Sequence, residues 1–248
     1  MAFSRFVLCL TLALPVTALA FQSIETETIN TPEQGANGNV RAALDGRSGN
    51  TERQDYTVGG RINYRARETD MFVLVEHSRA KAGSQEIENN SWAHAGFIDE
   101  FQRGLAAEAF IDGKQDDFQT LDSRTQLGAG MRFTLDYTPN VRAVYAGIGV
   151  LHEWENQAGH DDHYSRLNSY VAYKRQINEQ VRGLFNIYYQ PSFEKGSDYL
   201  LSAEAAVLVK LATQLDLKVG AKYEYDGNAP LGIKPDDTRY VTAINFHF

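Results

Sequence analysis

Along most of this chain, apolar and polar residues alternate one for one. Residues 238–248 are a clear case. Tyr240, Thr242, Ile244, Phe246 and Phe248 fall on one face, and Arg239, Val241, Ala243, Asn245 and His247 on the other. A period of two belongs to a β-strand whose faces meet different surroundings. Just upstream, Leu215, Leu217, Val219, Ala221, Tyr223 and Tyr225 alternate with Asp216, Lys218, Gly220, Lys222, Glu224 and Asp226. Leu201, Ala203, Ala205, Val207, Val209 and Leu211 oppose Ser202, Glu204, Ala206 and Lys210. Leu127, Ala129, Met131, Phe133 and Leu135 oppose Gln126, Gly128, Gly130 and Arg132. Tyr56, Val58, Ile62 and Tyr64 oppose Asp55, Thr57, Arg61, Asn63 and Arg65. A soluble sandwich or lipocalin-like barrel keeps its apolar residues inside. Ionised positions against apolar ones instead suit a wall with hydrocarbon outside and water within.

Twelve such segments are predicted, near residues 39–48, 53–66, 70–82, 90–101, 105–115, 120–136, 140–154, 164–176, 181–192, 199–212, 215–227 and 238–248, with boundaries good to about 2–4 residues. No helical pattern interrupts them. The fold class is therefore all-β, a transmembrane antiparallel up-and-down β-barrel of about twelve strands. The facing of the third, fourth, seventh and eighth strands does not follow from the pattern. Short links are expected on the periplasmic side at residues 66–69, 102–104, 137–139, 176–180 and 213–214. Longer outer loops are expected at 83–89, 113–120, 155–163 and 227–237, with a short one around Gly49-Asn50. Aromatic residues gather near strand ends, as amphipathic rings do at headgroup level. Trp154, Tyr188, Tyr189, Tyr223 and Tyr225 are expected at the outer rim, and Phe101, Phe133, Phe246 and Phe248 at the inner one.

The ends refine this picture. Met1 to Ala20 reads as a secretory signal, with Arg5 as positive n-region, Phe6 to Leu14 as apolar core and Ala18-Leu19-Ala20 as cleavage site. Residues 21–38 are polar and without period, a periplasmic lead-in before a barrel over 39–248. The C-terminal Tyr240, Ile244, Phe246 and Phe248 look like the signal by which bacterial outer-membrane barrels are recognised, which implies the insertion machinery as a partner during biogenesis. Outer-membrane lipid and lipopolysaccharide are the other expected partners.

Composition excludes several chemistries. The one cysteine, Cys9, lies in the signal, so the mature chain has no disulfide or thiolate. With Arg5 removed, 23 cationic side chains face 32 carboxylates, a net charge of −9. An acidic chain without a basic stripe argues against nucleic acid. The mean hydropathy of −0.40 is no objection to a membrane location, because half of each strand faces a polar lumen.

Several motifs in order resemble a known family. They are Gly49-Asn50-Thr51, then Ala107-Glu108-Ala109-Phe110 through Asp116, Phe118 and Leu121, then Arg124 with Leu127-Gly128-Ala129-Gly130-Met131-Arg132-Phe133. The tail adds Tyr225-Asp226, Pro230, Lys234, Asp237-Thr238 and Phe248. Together they are similar to the salt-induced outer-membrane proteins, a domain-of-unknown-function family of Gram-negative bacteria. The resemblance implies an outer-membrane β-barrel and, in some members, expression linked to salt. It carries no catalytic residues.

Candidate chemistry sits on the polar faces. Arg61, Arg65, Glu108, Asp112, Arg124, Arg132, Glu204, Lys218, Lys222 and Glu224 are the candidate pore-lining residues, with Asp55 and Asp226 beside them. The reading they favour is a narrow passive channel for small solutes or ions. One rival is a barrel sealed by pairing of opposite charges, acting structurally or as an adhesin. Another is a lipid-facing hydrolase built from His77, His94 or His152 with Ser78, Ser91 or Ser169, none in a recognisable signature. The run His160-Asp161-Asp162-His163 reads as a solvated loop tip, not a metal site. Gly128, Gly130, Gly147 and Gly149 read as room for large neighbours in a curved wall. No enzyme activity, cofactor or metal is expected. Mass spectrometry of the purified protein should find a mature chain starting at Phe21; an uncleaved Met1 would contradict the signal assignment.

Overall fold

The computed structural model describes residues 34–47 and 53–248. The expected signal, most of the expected lead-in and the link around Gly49-Asn50 lie outside these residues. Twelve antiparallel strands close into one barrel: β1 (Gly35–Arg47), β2 (Arg53–Ala66), β3 (Thr69–Ala82), β4 (Gln85–Gln102), β5 (Leu105–Asp116), β6 (Leu121–Thr138), β7 (Arg142–Gln157), β8 (His160–Gln176), β9 (Val181–Pro191), β10 (Tyr199–Ala212), β11 (Leu215–Asp226) and β12 (Asp236–His247). Each strand pairs with its sequence neighbours, and β12 closes on β1. Closure pairs the first strand with the last, so neither is a fully free edge.

The closing seam is the shortest in the barrel, running from Asn39↔His247 to Ala42↔Ile244. Its anchor is reciprocal. Gly38 N–H donates to the Phe248 carbonyl and Phe248 N–H to the Gly38 carbonyl, both at 3.0 Å. Gly38 is needed there, since a Cβ would meet the Arg61 carbonyl and the Phe248 ring. Residues 35–38, read from the sequence as lead-in, are therefore the first turn-end residues of the wall.

Sidedness follows the alternation. All twelve strands expose large apolar side chains outward, from Val40 on β1 through Val73, Leu127, Ile148, Val171 and Val207 to Ile244 and Phe246 on β12. The buried interior holds Arg61, Arg124, Arg166, Lys218, Glu76, Glu153, Glu204 and many other polar groups. Such an outer surface is stabilised in lipid by about 25 cal/mol per Å² of apolar area removed from water. The four strands left open by pattern are now assigned. Phe72, Leu74, Glu76 and Ser78 on β3, Asn90, Trp92 and His94 on β4, Glu153 and Glu155 on β7, and Arg166, Tyr170 and Lys174 on β8 face inward.

Two expectations need correction. The start of β1 and the end of β12 lie at the end that carries the short links, as expected, but two of the longer opposite loops do not exist. Residues 85–89 and 155–157 continue their strands, and the turns are Gly83-Ser84 and Ala158-Gly159. Positive φ at Ala158 (52°) and Gly159 (76°) gives the two-residue hairpin whose twist matches its strands. Among the described residues, the substantial links at this end are 192–198 and 227–235, flanking β10 and β11. Tyr188, expected at the rim, faces inward and stacks on Tyr170 at 5.0 Å.

Because Phe248 supplies both backbone bonds and the ring at the seam, deleting it should lower the fraction migrating as the compact band on an unheated detergent gel. Phe248→Tyr should retain that band. Equal compact fractions in the wild type and the deletion would exclude this role for the seam.

Candidate functional site

The lumen divides into two halves. Toward the loop end it is filled by ion pairs. Arg124 on β6 donates to Glu155 on β7 (2.5 Å) and to Asp226 on β11 (2.7 Å). Arg166 on β8 donates to Glu153 on β7 (2.8 Å) and to Asp198 of link 192–198 (2.9 Å). Gln126 donates to the other oxygen of Glu153 at 2.5 Å. Arg166 is 1 % exposed, and Glu153 and Asp198 are fully buried, so no water-sized gap remains around them. In this cluster four carboxylates share two guanidinium groups. Nearer mid-height, Lys218 meets Glu204 at 2.8 Å, Arg41 bonds Glu76, Lys222 approaches Glu76 at 3.9 Å, and Lys114 approaches Glu224 at 3.8 Å. Arg239 on β12 reaches across to Glu88 on β4 at 2.7 Å. Charges at this depth must be paired, since an isolated one would carry a desolvation cost of several kcal/mol.

The two long links are tied to this plug. Asp198 enters it directly, and Lys195 bonds Asn228 of the neighbouring link at 2.6 Å. The Ser165 backbone N–H donates to both oxygens of Glu194 (2.9 and 3.0 Å). It holds that carboxyl below the usual carboxylate range.

Toward the turn end the lumen opens into a cavity of about 760 Å³. Its lining runs from His94 and Phe110 at the inner end to Glu68, Glu100 and Arg103 at the short links. Five cations line it: Arg61, Arg65, Arg103, Arg132 and Lys174. Five carboxylates oppose them: Glu68, Asp70, Glu100, Glu108 and Asp136. Aromatic rings supply the remainder. Phe72 lies over its cross-strand partner Gly96, Phe110 over Gly128 and Tyr170 over Gly147, positions where any Cβ would collide with the ring. Gly130 and Gly149 serve a different purpose, letting the β6 and β7 backbones approach closely.

All ten candidate pore residues turn inward. The structure divides them between the two halves. Arg124, Glu204, Lys218, Lys222 and Glu224 are in the ion-paired region, with Asp112 beside His94 at its lower edge. Arg61, Arg65, Glu108 and Arg132 line the cavity. Sequence reasoning passed over Glu153, Arg166 and Asp198 at the centre of the plug. Glu153 alternates with outward Trp154, which would have flagged it had the strand's facing been assigned; Asp198 sits in a link and carries no periodic signal.

The hydrolase candidates separate. His94 and Ser78 face the lumen, so neither meets lipid. On the outer face His77 Nδ1 lies 3.0 Å from Ser91 Oγ, and His152 Nδ1 lies 3.2 Å from Ser165 Oγ. Among the described residues no third polar group holds either imidazole, so neither pair makes a triad. His152 instead packs edge-on against Trp154 at 4.5 Å. Residues 160–163 form the start of β8, where successive side chains point to opposite faces.

Comparison with known proteins bears on the fold. A family model described as a protein of unknown function, DUF481, matches residues 40–248. No curated protein matches the sequence. The translocator domain of the autotransporter NalP from Neisseria meningitidis is similar in structure. Its TM-score is 0.52 at 11 % identity, over 89 % of this chain and 91 % of that one. The NanC porin gives a TM-score of 0.52 at 9 % identity, over 84 % and 98 %. At such identities the likeness is one of fold.

Arg166 neutralises two fully buried carboxylates, so Arg166→Met should destabilise the barrel by about 3–5 kcal/mol. The check is a urea unfolding series in micelles; an unchanged midpoint would mean that the plug is hydrated and the pairing unimportant.

Proposed function

We propose, for a chain that belongs to the DUF481 family of proteins of unknown function, a narrow channel of the bacterial outer membrane that passes small ions or solutes. The observation that carries this reading is the ionised plug at the head of a wide vestibule. A barrel kept only as a wall gains nothing from buried charges. Replacing buried ion pairs by well-packed apolar residues is commonly neutral or stabilising. A lumen of exchangeable ion pairs fits a path along which a permeant ion replaces one partner at a time. The excess of carboxylates over guanidinium groups around Arg124 and Arg166 favours cations at the constriction.

Membrane lipid and lipopolysaccharide are the partners that the outward apolar face suits. The insertion machinery is the partner that Tyr240, Ile244, Phe246 and Phe248 suit. The resemblance to salt-induced proteins supports a place in an osmotic response, testable by protein level after a shift to high salt.

A sealed barrel is the second reading, favoured by the near-complete burial of Arg166 and Lys218, each 1 % exposed. Planar-bilayer recording separates the two. The channel reading expects small discrete conductance steps with cation preference, severalfold larger in Arg124→Ala and altered in Lys218→Ala and Arg132→Ala. Silence in the wild type and in the Arg124→Ala, Arg166→Ala double variant, each shown to be inserted, would establish the sealed barrel.

A further inference from the structure

We infer that His152 and His163, side by side on the outer face of the loop-end rim, form a binding site for a divalent transition-metal ion, copper(II) above all. The inference rests on neither the channel nor the sealed barrel, because the pair stands outside the lumen.

The run His160-Asp161-Asp162-His163 cannot chelate an ion by itself, since adjacent side chains of a strand point to opposite faces. Register supplies what the run lacks. In the β7–β8 hairpin His152 is opposite Ser165, and Trp154 is opposite His163. His152 and His163 are therefore diagonal neighbours on one face, and their ring centroids lie 6.2 Å apart. A ligating nitrogen is about 1.2 Å from its ring centre and about 2.0–2.1 Å from the metal, which puts each centroid about 3.2 Å from a shared ion. Two such rings are about 4.5 Å apart when cis and about 6.4 Å apart when trans. The observed separation falls within that span, so closing on an ion requires rotation of the rings and no movement of the strands.

Both rings are accessible, and one is already oriented. His163 is exposed and His152 half-buried. His152 Nδ1 lies 3.2 Å from Ser165 Oγ, and the ring packs edge-on against Trp154 at 4.5 Å. A hydrogen bond that keeps the proton on Nδ1 leaves the lone pair on Nε2, as in most ligating histidines. The hairpin beneath is paired without a break from Arg142↔Arg175 to Gln157↔His160, so the backbone holds the two residues in place before an ion arrives. Carboxylates bracket the pair. Glu194 accepts from the Ser165 N–H, and Asp161 accepts from Asn156 Nδ2 at 2.7 Å. They give this part of the rim a negative field, which favours a cation.

Among the described residues no group of three or more His, Cys, Asp or Glu is arranged to hold a metal. The ion thus has two protein ligands, with water in its other positions. A site this open selects by ligand chemistry and not by the size of a cage. Imidazole suits copper, nickel and zinc, whereas magnesium and calcium take oxygen ligands. Within the first group affinity peaks at copper(II). His160 is left out, being at the turn with its Nδ1 3.1 Å from the Ala158 carbonyl.

Trp154 is a built-in reporter for the test. The chain has two tryptophans, and Trp92 faces the lumen, so Trp92→Phe leaves Trp154 as the only indole. The untagged Trp92→Phe barrel in micelles is titrated with copper(II) chloride in a buffer that does not bind metal. Every variant is first checked for the compact band on an unheated gel. Fluorescence should be quenched saturably at one ion per barrel. His152→Ala and His163→Ala should each weaken the apparent affinity at least about tenfold, and His160→Ala should leave it unchanged. Millimolar magnesium or calcium should not displace the copper. Electron paramagnetic resonance of the one-ion complex of the wild type, which does not depend on the Trp92→Phe background, should show coupling to two imidazole nitrogens. A folded barrel without saturable quenching and without that spectrum would overturn the site. So would wild-type affinity in His152→Ala or in His163→Ala, coupling to a single imidazole nitrogen, or displacement by magnesium, which would put the ion on the carboxylates.

Discussion

With apolar side chains outward on every strand, every ionised group that turns inward must find its counter-charge inside the lumen, on a neighbouring strand or across it. That constraint governs the interior. Arg124 on β6 reaches Asp226 on β11, Arg239 on β12 reaches Glu88 on β4, and Lys222 on β11 approaches Glu76 on β3. None of these pairs joins neighbouring strands. They brace the cylinder across its diameter, where the backbone ladder, which acts only around the circumference, cannot. In a low-dielectric interior such contacts are much stronger than at a protein surface, and breaking one strands its partner.

The two halves of the lumen solve the filling problem differently. At the loop end the long arms of Arg124, Arg166 and Gln126 meet carboxylates, and the interior closes. At the turn end rings lie against glycines and their bulk hugs the wall, so space is left at the centre. Replacing Gly96, Gly128 or Gly147 by any other residue would lift a ring toward the axis. The glycines therefore shape the cavity as much as the aromatics that line it.

This division also bears on mechanism. Neighbouring strands of the wall are hydrogen-bonded all round, most narrowly at the β1–β12 seam, whereas the plug and its attached links are held by side chains and are the part better able to rearrange. Link 192–198 is tied to the plug through Asp198, and link 227–235 is tied to it through Asn228 and Lys195. A change at the loop end would thus be felt at Arg166 without distortion of the strands. The vestibule, open at the opposite end, is independent of that rearrangement.

How much of this was legible in the sequence follows from which interactions are local. Strand number, antiparallel order, the outward set Tyr240, Ile244 and Phe246 and the inward set Lys218, Lys222 and Glu224 are written in a period of two, because side-chain direction alternates whatever the partner. The inward glycines Gly128 and Gly147 also signalled large neighbours correctly. The pairing of Glu153 and Asp198 with Arg166, the inward turn of Tyr188, and the split into plug and vestibule were not legible. Those depend on which strands face each other across the lumen and at what height, and that is set by barrel closure and the register between strands. Periodicity records which side of the wall a residue occupies, and only the closed cylinder decides what stands opposite it.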